Sequence, residues 1–231
     1  MATTNIQISR DLLFDNNLSD RDFHILCTLI SFQDKYKSDV ILKLKTISKR
    51  SGLSMSTVSR AVKCLKENGI IKVLNRYYTN ANKEWRKGTN CYVLPKRSGN
   101  FVQIPFYVLT SNLPSTAFKV MCYLLSKENK GVAYPSLREM AKHLHLSIAT
   151  VISSIKLLVM SKLIFKRFYI GKFHSFGRNQ YTFNKSTSDK KIKCVCLKHG
   201  RNVIFVSAYR FTQIDLKSQY EYLKGVETIF T

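Results

Sequence analysis

Apolar residues along this chain fall first at spacings of three and four, then in short runs broken by basic residues. Ser19-Asp20 offers a cap for a helix whose apolar positions are Phe23, Leu26, Cys27 and Ile30. Leu42, Leu44 and Ile47 open a short second helix with Thr46 as its candidate N-cap, and Gly52 suits the left-handed turn after it. Ser54 stands where a third helix needs its cap, with Val58, Ala61, Val62 and Leu65 on the inner face. Glu67-Asn68-Gly69 ends that helix. Ile70 to Leu74 then reads as a strand, Asn75 to Lys87 as a polar, basic excursion, and Asn90 to Leu94 as the returning strand.

The same order occurs a second time. Ile6-Gln7-Ile8 matches Val102-Gln103-Ile104, Asn17-Leu18-Ser19 matches Asn112-Leu113-Pro114, and Phe23 matches Phe118. Leu53-Ser54 with Thr57-Val58 aligns with Leu146-Ser147 and Thr150-Val151. Each copy closes on Gly-x-Asn-x-Tyr, at Gly88 to Tyr92 and at Gly177 to Tyr181. Five matches in one order, at a separation that shrinks from about 96 to about 89 residues, mark an internal duplication with loops of unequal length.

Helix, helix, tight turn, helix and a two-stranded hairpin make the winged-helix arrangement. Thr46-Ile-Ser-Lys-Arg-Ser-Gly-Leu-Ser-Met-Ser-Thr-Val-Ser-Arg60 resembles a bacterial helix-turn-helix, with Gly52 in the turn and Val58 facing the core. Leu137 to Val151 resembles it too, but His143 or Leu144 occupies the region where glycine is usual. The expected fold class is α+β and helix-rich, with two tandem winged-helix domains plus a small C-terminal extension. The expected boundaries are 1–95, a linker at 96–100, 101–185, and an extension over 186–231. In that extension Lys193–Val195 and Val203–Val206 flank His199-Gly-Arg-Asn202 as a hairpin, and Asp215–Lys224 reads as a short amphipathic helix.

Charge then narrows the partner. Lys and Arg total 38 against 14 Asp and Glu, a formal net charge of +24. A surface chosen only for solubility mixes both signs, so this surplus implies a polyanion, and double-stranded DNA suits the fold. An anionic membrane is the rival on charge alone. No stretch is apolar for long enough to span a bilayer, and the first residues lack a secretion signal, so a cytoplasmic protein with no membrane partner is expected.

In a winged helix, the helix after the turn enters the major groove. Its outward positions in the first copy are Met55, Ser56, Thr57, Ser59, Arg60 and Lys63, next to the capping Ser54. Arg60 is the candidate base reader, because its planar fork can bond guanine O6 and N7 together. Ser54, Ser56 and Thr57 are short enough to approach a phosphate, or serve only to cap the helix. On the wing, Arg76, Lys83, Arg86 and Lys87 can reach phosphates or the minor groove, and Tyr77, Tyr78 and Trp85 are expected to pack across the hairpin. The second copy offers Ser147, Ile148, Ala149, Thr150, Ser153, Ser154 and Lys156 on its helix, and Lys166, Arg167, Lys172 and Arg178 on its wing. Glu128 and Glu139 are the only acids between Asn100 and Lys185. The first copy is therefore expected to supply more specificity and the second more electrostatic affinity.

No phosphate-binding glycine loop, dinucleotide turn, paired carboxylates or nucleophile with its base stands out, so neither catalysis nor a cofactor is expected. His143-x-His145 has the spacing of a nuclease metal pair, but it falls in the turn before a recognition helix, where packing or phosphate contact suits it better. Cys194-Val-Cys196 with His199 lacks a second ligand pair at zinc spacing, so no metal is expected. Cys27 and Cys122 lie in apolar helical patterns, as reduced buried thiols do. Two similar modules in one chain of this size, each closing on Gly-x-Asn-x-Tyr, resemble plasmid or phage replication initiators. That resemblance implies that both modules are used on a directly repeated origin site. The alternative is a transcriptional regulator, or an accessory protein for plasmid transfer or partition. Two linked modules mimic a dimer, and the extension is a candidate contact for another copy or for a replication or transcription protein.

Overall fold

Short polar caps set the helix ends in each copy of the repeat, and the apolar stripes between them assemble the core. The computed structural model describes residues 5–34, 39–79, 83–95, 99–170, 176–184, 194–199 and 202–207. The first copy runs β1 (Ile6–Ser9), α1 (Arg10–Leu13), α2 (Asp20–Ile30), β2 (Asp39–Ile41), α3 (Leu44–Ser51), α4 (Met55–Glu67), β3 (Lys72–Leu74), β4 (Tyr77–Thr79), β5 (Trp85–Lys87) and β6 (Cys91–Val93). The second runs β7 (Phe101–Ile104), α5 (Phe106–Leu109), α6 (Ser115–Ser126), β8 (Val132–Ala133), α7 (Leu137–Leu144), α8 (Ile148–Met160), β9 (Ile164–Ile170) and β10 (Phe176–Phe183). The fold is α+β and helix-rich, and both copies lie in one unit, Met1–Asn184. Lys185–Thr231 form a second unit, where β11 (Cys194–His199) pairs with β12 (Asn202–Ser207) as the expected hairpin. The helix expected over 215–224 lies outside the described residues.

Several local expectations are corrected. Thr46 does not cap α3: the N-cap lies three residues earlier, at Lys43, with no side-chain bond there. The strand expected over 70–74 begins only at Lys72, because the amides of Ile70 and Ile71 both turn back to the Leu65 carbonyl. Each two-stranded wing gains a third strand, β2 beside β6 and β8 beside β10. At two or three residues these strands are too short for periodicity to show. In the second copy the left-handed turn residue is His145 (φ 52), not His143 or Leu144, and Gly52 (φ 70) is its counterpart in the first.

The two copies are joined about an approximate two-fold axis. β1 and β7 pair antiparallel with Ile6 opposite Ile104, Gln7 opposite Gln103 and Ile8 opposite Val102. Gln7 thus faces its own repeat, while the flanking positions exchange partners, as a two-fold requires. Helices α2 and α6 repeat this exchange. His24 Nδ1 lies 3.2 Å from Ser115 Oγ, and the equivalent pair with the copies swapped is Lys119 Nζ to Asp20 Oδ1 at 3.3 Å. The repeat-equivalent rings of Phe23 and Phe118 stand 6.1 Å apart, both fully buried.

Each copy also grips the first helix of the other copy's turn. The Arg50 guanidinium on α3 sits 4.1 Å over Phe32 and 4.9 Å over Phe106 of α5. On α7, His143 packs against Phe14 at 5.8 Å and Tyr123 at 5.9 Å. A side chain at Gly52 would meet Asn112 Oδ1 at 2.9 Å, so glycine there meets both the left-handed backbone and the other copy.

Lys119 is buried and also donates to the Leu18 carbonyl at 3.3 Å, while Thr116 Oγ1 donates to Asp20 Oδ2 at 2.7 Å. Removing one member of such a pair strands the other charge in poor solvent. Lys119→Ala is expected to lower unfolding free energy by about 3 kcal/mol, read from urea midpoints at constant m-value. A change below about 1 kcal/mol would mean that the pair does not fasten the copies.

Burial lowers the His24 pKa from 6.5 to about 4. Above pH 6.5 the imidazole is neutral whether the chain is folded or not. As pH falls from 6.5 toward 4 the unfolded chain takes up a proton that the folded one refuses, so stability drops by about 3 kcal/mol over that window. Urea titrations between pH 7 and 4 should show this slope in the wild type and not in His24→Leu. Equal slopes would refute it.

Candidate nucleic-acid interface

Helix α4 follows directly from the Gly52 turn, and Ser54 fixes its start. Ser54 Oγ accepts from the Thr57 amide at 3.3 Å and lies 3.0 Å from Ser56 Oγ and 2.9 Å from Thr57 Oγ1. Ser147 does the same for α8, accepting from the Thr150 amide at 3.0 Å and lying 2.8 Å from Thr150 Oγ1. The capping role is therefore occupied in both copies. The hydroxyls also line the helix N-terminus, where free amides and the helix dipole favour phosphate.

Val58, Ala61, Val62 and Leu65 bury the inner face of α4, as expected. Met55, Ser56, Ser59, Arg60 and Lys63 are exposed on its outer face, with Thr57 half-buried. Arg60 Nε reaches back to the Ser56 carbonyl at 3.4 Å, which lays the guanidinium along the exposed face. Lys63 pairs with Glu67 one turn on at 3.7 Å, a solvated contact of little strength.

In α8 the inner face is Val151, Ser154, Ile155 and Leu158. Ser154, expected outward, is buried, and Ile152 takes the exposed place instead. The repeat explains the exchange, because Ser154 occupies the position of Ala61, and a small residue is needed there whatever its polarity. Ala149, Ser153 and Lys156 are exposed as expected, and Thr150 is half-buried. With Ile148, Ile152, Leu157 and Met160 also exposed, the outer face of α8 is much more apolar than that of α4.

The first wing carries its aromatic residues outward. Tyr77, Tyr78 and Trp85 are 59%, 55% and 76% exposed, which corrects the expectation that they pack across the hairpin. In the strand register Tyr78 stands opposite Arg86, and Tyr77 opposite Lys87. Arg76, Lys83 and Arg86 are exposed, and Arg86 meets Glu84 at 3.1 Å. Gly88 lets its amide close on the Arg76 carbonyl at 2.7 Å, and a side chain there would press on the same carbonyl at 3.2 Å.

Between this wing and the helices lies an open groove of about 690 Å³, lined by Lys43, Lys45, Met55, Arg76, Tyr77 and Asn90 among others. Lys43 and Lys45 were not singled out from sequence. Their signal was the alternation of lysine with Leu42 and Leu44 at the start of α3.

The second wing is a longer ladder, in which Arg167 faces Gln180 and Lys166 faces Tyr181. Burial first, and the Lys156 ammonium second, hold the Lys166 pKa below its usual value. Two cations near enough to repel each other are relieved by an anion between or beside them. Lys172 lies outside the described residues, as do the side chains of Lys87 and Arg178.

The closing Tyr92 and Tyr181 are both fully buried, and Asn90 Nδ2 donates to Tyr92 Oη at 3.5 Å. The Gly-x-Asn-x-Tyr element thus anchors the returning strand at the root of the wing. Cys27 and Cys122 are free, buried thiols whose pKa values burial raises.

Two segments, residues 16–71 and 111–164, match the family model of a helix-turn-helix domain. Each match spans from the loop before α2 or α6 to the end of the recognition helix and just beyond. No curated protein matches the chain. Two helix-turn-helix domains imply binding to double-stranded DNA. No single helix among the described residues is long and apolar enough to cross a membrane.

Arg60→Ala is expected to weaken binding to a selected site by about 1–3 kcal/mol and to relax preference at one or two base pairs. Lys83→Ala should weaken all sequences alike and reduce the slope of log K against log salt by about 1. Competition titrations on matched and scrambled duplexes separate the two. A uniform loss from Arg60→Ala would remove its base-reading role.

Proposed function

We propose that this chain is a sequence-specific double-stranded DNA-binding protein, without catalysis of its own, that initiates plasmid or phage replication at repeated origin sites. One observation carries the DNA reading. Both recognition helices present their outer faces to solvent beside cation-bearing wings, on a chain of formal net charge +24. Groove-entering helices give sequence preference, and wings that meet phosphates give affinity. The initiator role is supported by the tandem modules, each closing on Gly-x-Asn-x-Tyr. Regulation of transcription is the competing role for the same surface.

The DNA this protein retains from sheared fragments of its host and mobile elements, near physiological salt, tests both levels. A cluster of short repeats beside its own gene is the expected result. Scattered single sites upstream of other genes would assign it to regulation instead. Retention without enrichment of any sequence would overturn base reading altogether. Affinity for the enriched site should fall by about 10³-fold or more between 50 and 200 mM salt, as expected when six or more phosphates are contacted. Loss of less than about tenfold would show that the basic wings do not meet the backbone.

A further inference from the structure

We infer that the first wing is a stacking platform for unpaired bases, and that the groove beside it takes a stretch of single-stranded DNA. This rests on the DNA-binding reading and goes beyond it in the form of DNA bound and in the residues that hold it.

The rings are displayed rather than packed. In a paired ribbon, cross-strand partners share a face and successive residues alternate between faces. Trp85 stands opposite Thr79, so it falls on the same face as Tyr77, while Tyr78 falls on the other face with Arg86. Every residue from Asn75 to Thr79 is exposed, as are Trp85 and Arg86, so both faces of the ribbon meet solvent. The Tyr78 ring lies against Gly88, where an added side chain would come within 3.4 Å of it. Three large rings held in water forgo the contact that aromatic surface gains against a flat apolar partner.

The groove of about 690 Å³ adds the charge that a strand requires. Tyr77 and Tyr78 line it together with Arg76, Lys43 and Lys45, all of them exposed. Rings for bases and cations for phosphates, side by side, are the two parts of a single-strand site. A duplex does not use this combination. Its base faces are stacked on one another, and it presents groove edges and backbone instead. An unpaired strand presents the faces themselves, and these stack on tyrosine or tryptophan with little regard to sequence. Helix α4 offers the opposite set, with Ser56, Ser59 and Arg60 as hydrogen-bonding groups suited to base edges. Helix and wing thus address paired and unpaired DNA respectively.

Trp85 is the one tryptophan of the chain, so its fluorescence reports the platform directly. With the full chain near physiological salt, oligothymidylate should quench Trp85. An abasic strand with the same number of phosphates should leave the emission unchanged and bind at least about tenfold more weakly. A duplex of the same length should not quench. Tyr77→Ala, at an exposed position, should weaken labelled oligothymidylate about five- to hundredfold by anisotropy, and the abasic strand less than about twofold. Lys43→Gln with Lys45→Gln should weaken both strands alike. Equal quenching by the duplex, equal affinity for the two strands, or no effect of Tyr77→Ala would overturn the inference. Tighter binding of oligouridylate than of oligothymidylate would assign the site to RNA and overturn it for DNA. Duplex binding without single-strand binding would sink this inference alone, whereas failure to bind either form would sink the underlying DNA reading.

Discussion

Helices α2 and α6 are buried on every side, and the rest of the molecule is arranged around their contact. From Asp22 to Ile30 each residue of α2 is buried, and α6 is buried from Ala117 to Leu124. One stripe of such a helix covers its own helix-turn-helix, but a helix that is buried all round needs a second partner. Each copy supplies that partner for the other. Polar groups at the contact then fix its register. Asp20 with Lys119 and His24 with Ser115 are satisfied only in one alignment of the two helices, so a slip would leave buried polar groups without partners.

A duplication held this way divides its residues into two classes. Positions facing the core stay closely similar in size in both copies: Val58 and Val151, Ala61 and Ser154, Val62 and Ile155, Leu65 and Leu158 are all buried. Positions on the outer face are under no packing constraint and have diverged in chemistry, Arg60 against Ser153 being the sharpest case. The wings diverge in the same way. The first breaks into two short pairings around Gly88 and turns its rings outward, while the second runs as one ladder with a register shift between Phe176 and Asn179. What the two copies share is therefore the scaffold, and what distinguishes them faces the solvent.

Much of this was legible in the chain, and the exceptions have physical reasons. Caps at Ser19 and Ser54 and the turn at Gly52 were readable because a single side chain or backbone preference determines each. Thr46 misled because a hydroxyl near a helix start resembles a cap, whereas α3 begins on Lys43 with no side-chain bond. Ser154 was misplaced outward because its hydroxyl reads as a surface group, although it aligns with the buried Ala61. The joint between the copies was present as Ile25 and Leu29, apolar positions on α2 beyond the stripe formed by Phe23, Leu26, Cys27 and Ile30. The exposed rings of the first wing had no signal, since Tyr and Trp are equally at home packed across a hairpin or displayed on it.

The rigid joint also bears on how a face as apolar as that of α8 can take part in recognition. Alone, a helix offering Ile148, Ala149 and Ile152 gains only weak, non-directional contacts with base edges. Were both recognition helices to meet one duplex, engagement of the second would be intramolecular. The joint has already fixed the orientation of the second module, so little rotational freedom remains to be lost on docking. Modest contacts would then add to affinity nearly in full. Fusing two unlike helix-turn-helix faces through a buried, polar-registered core thus lets weak contacts of one face draw on the ordering already achieved by the other.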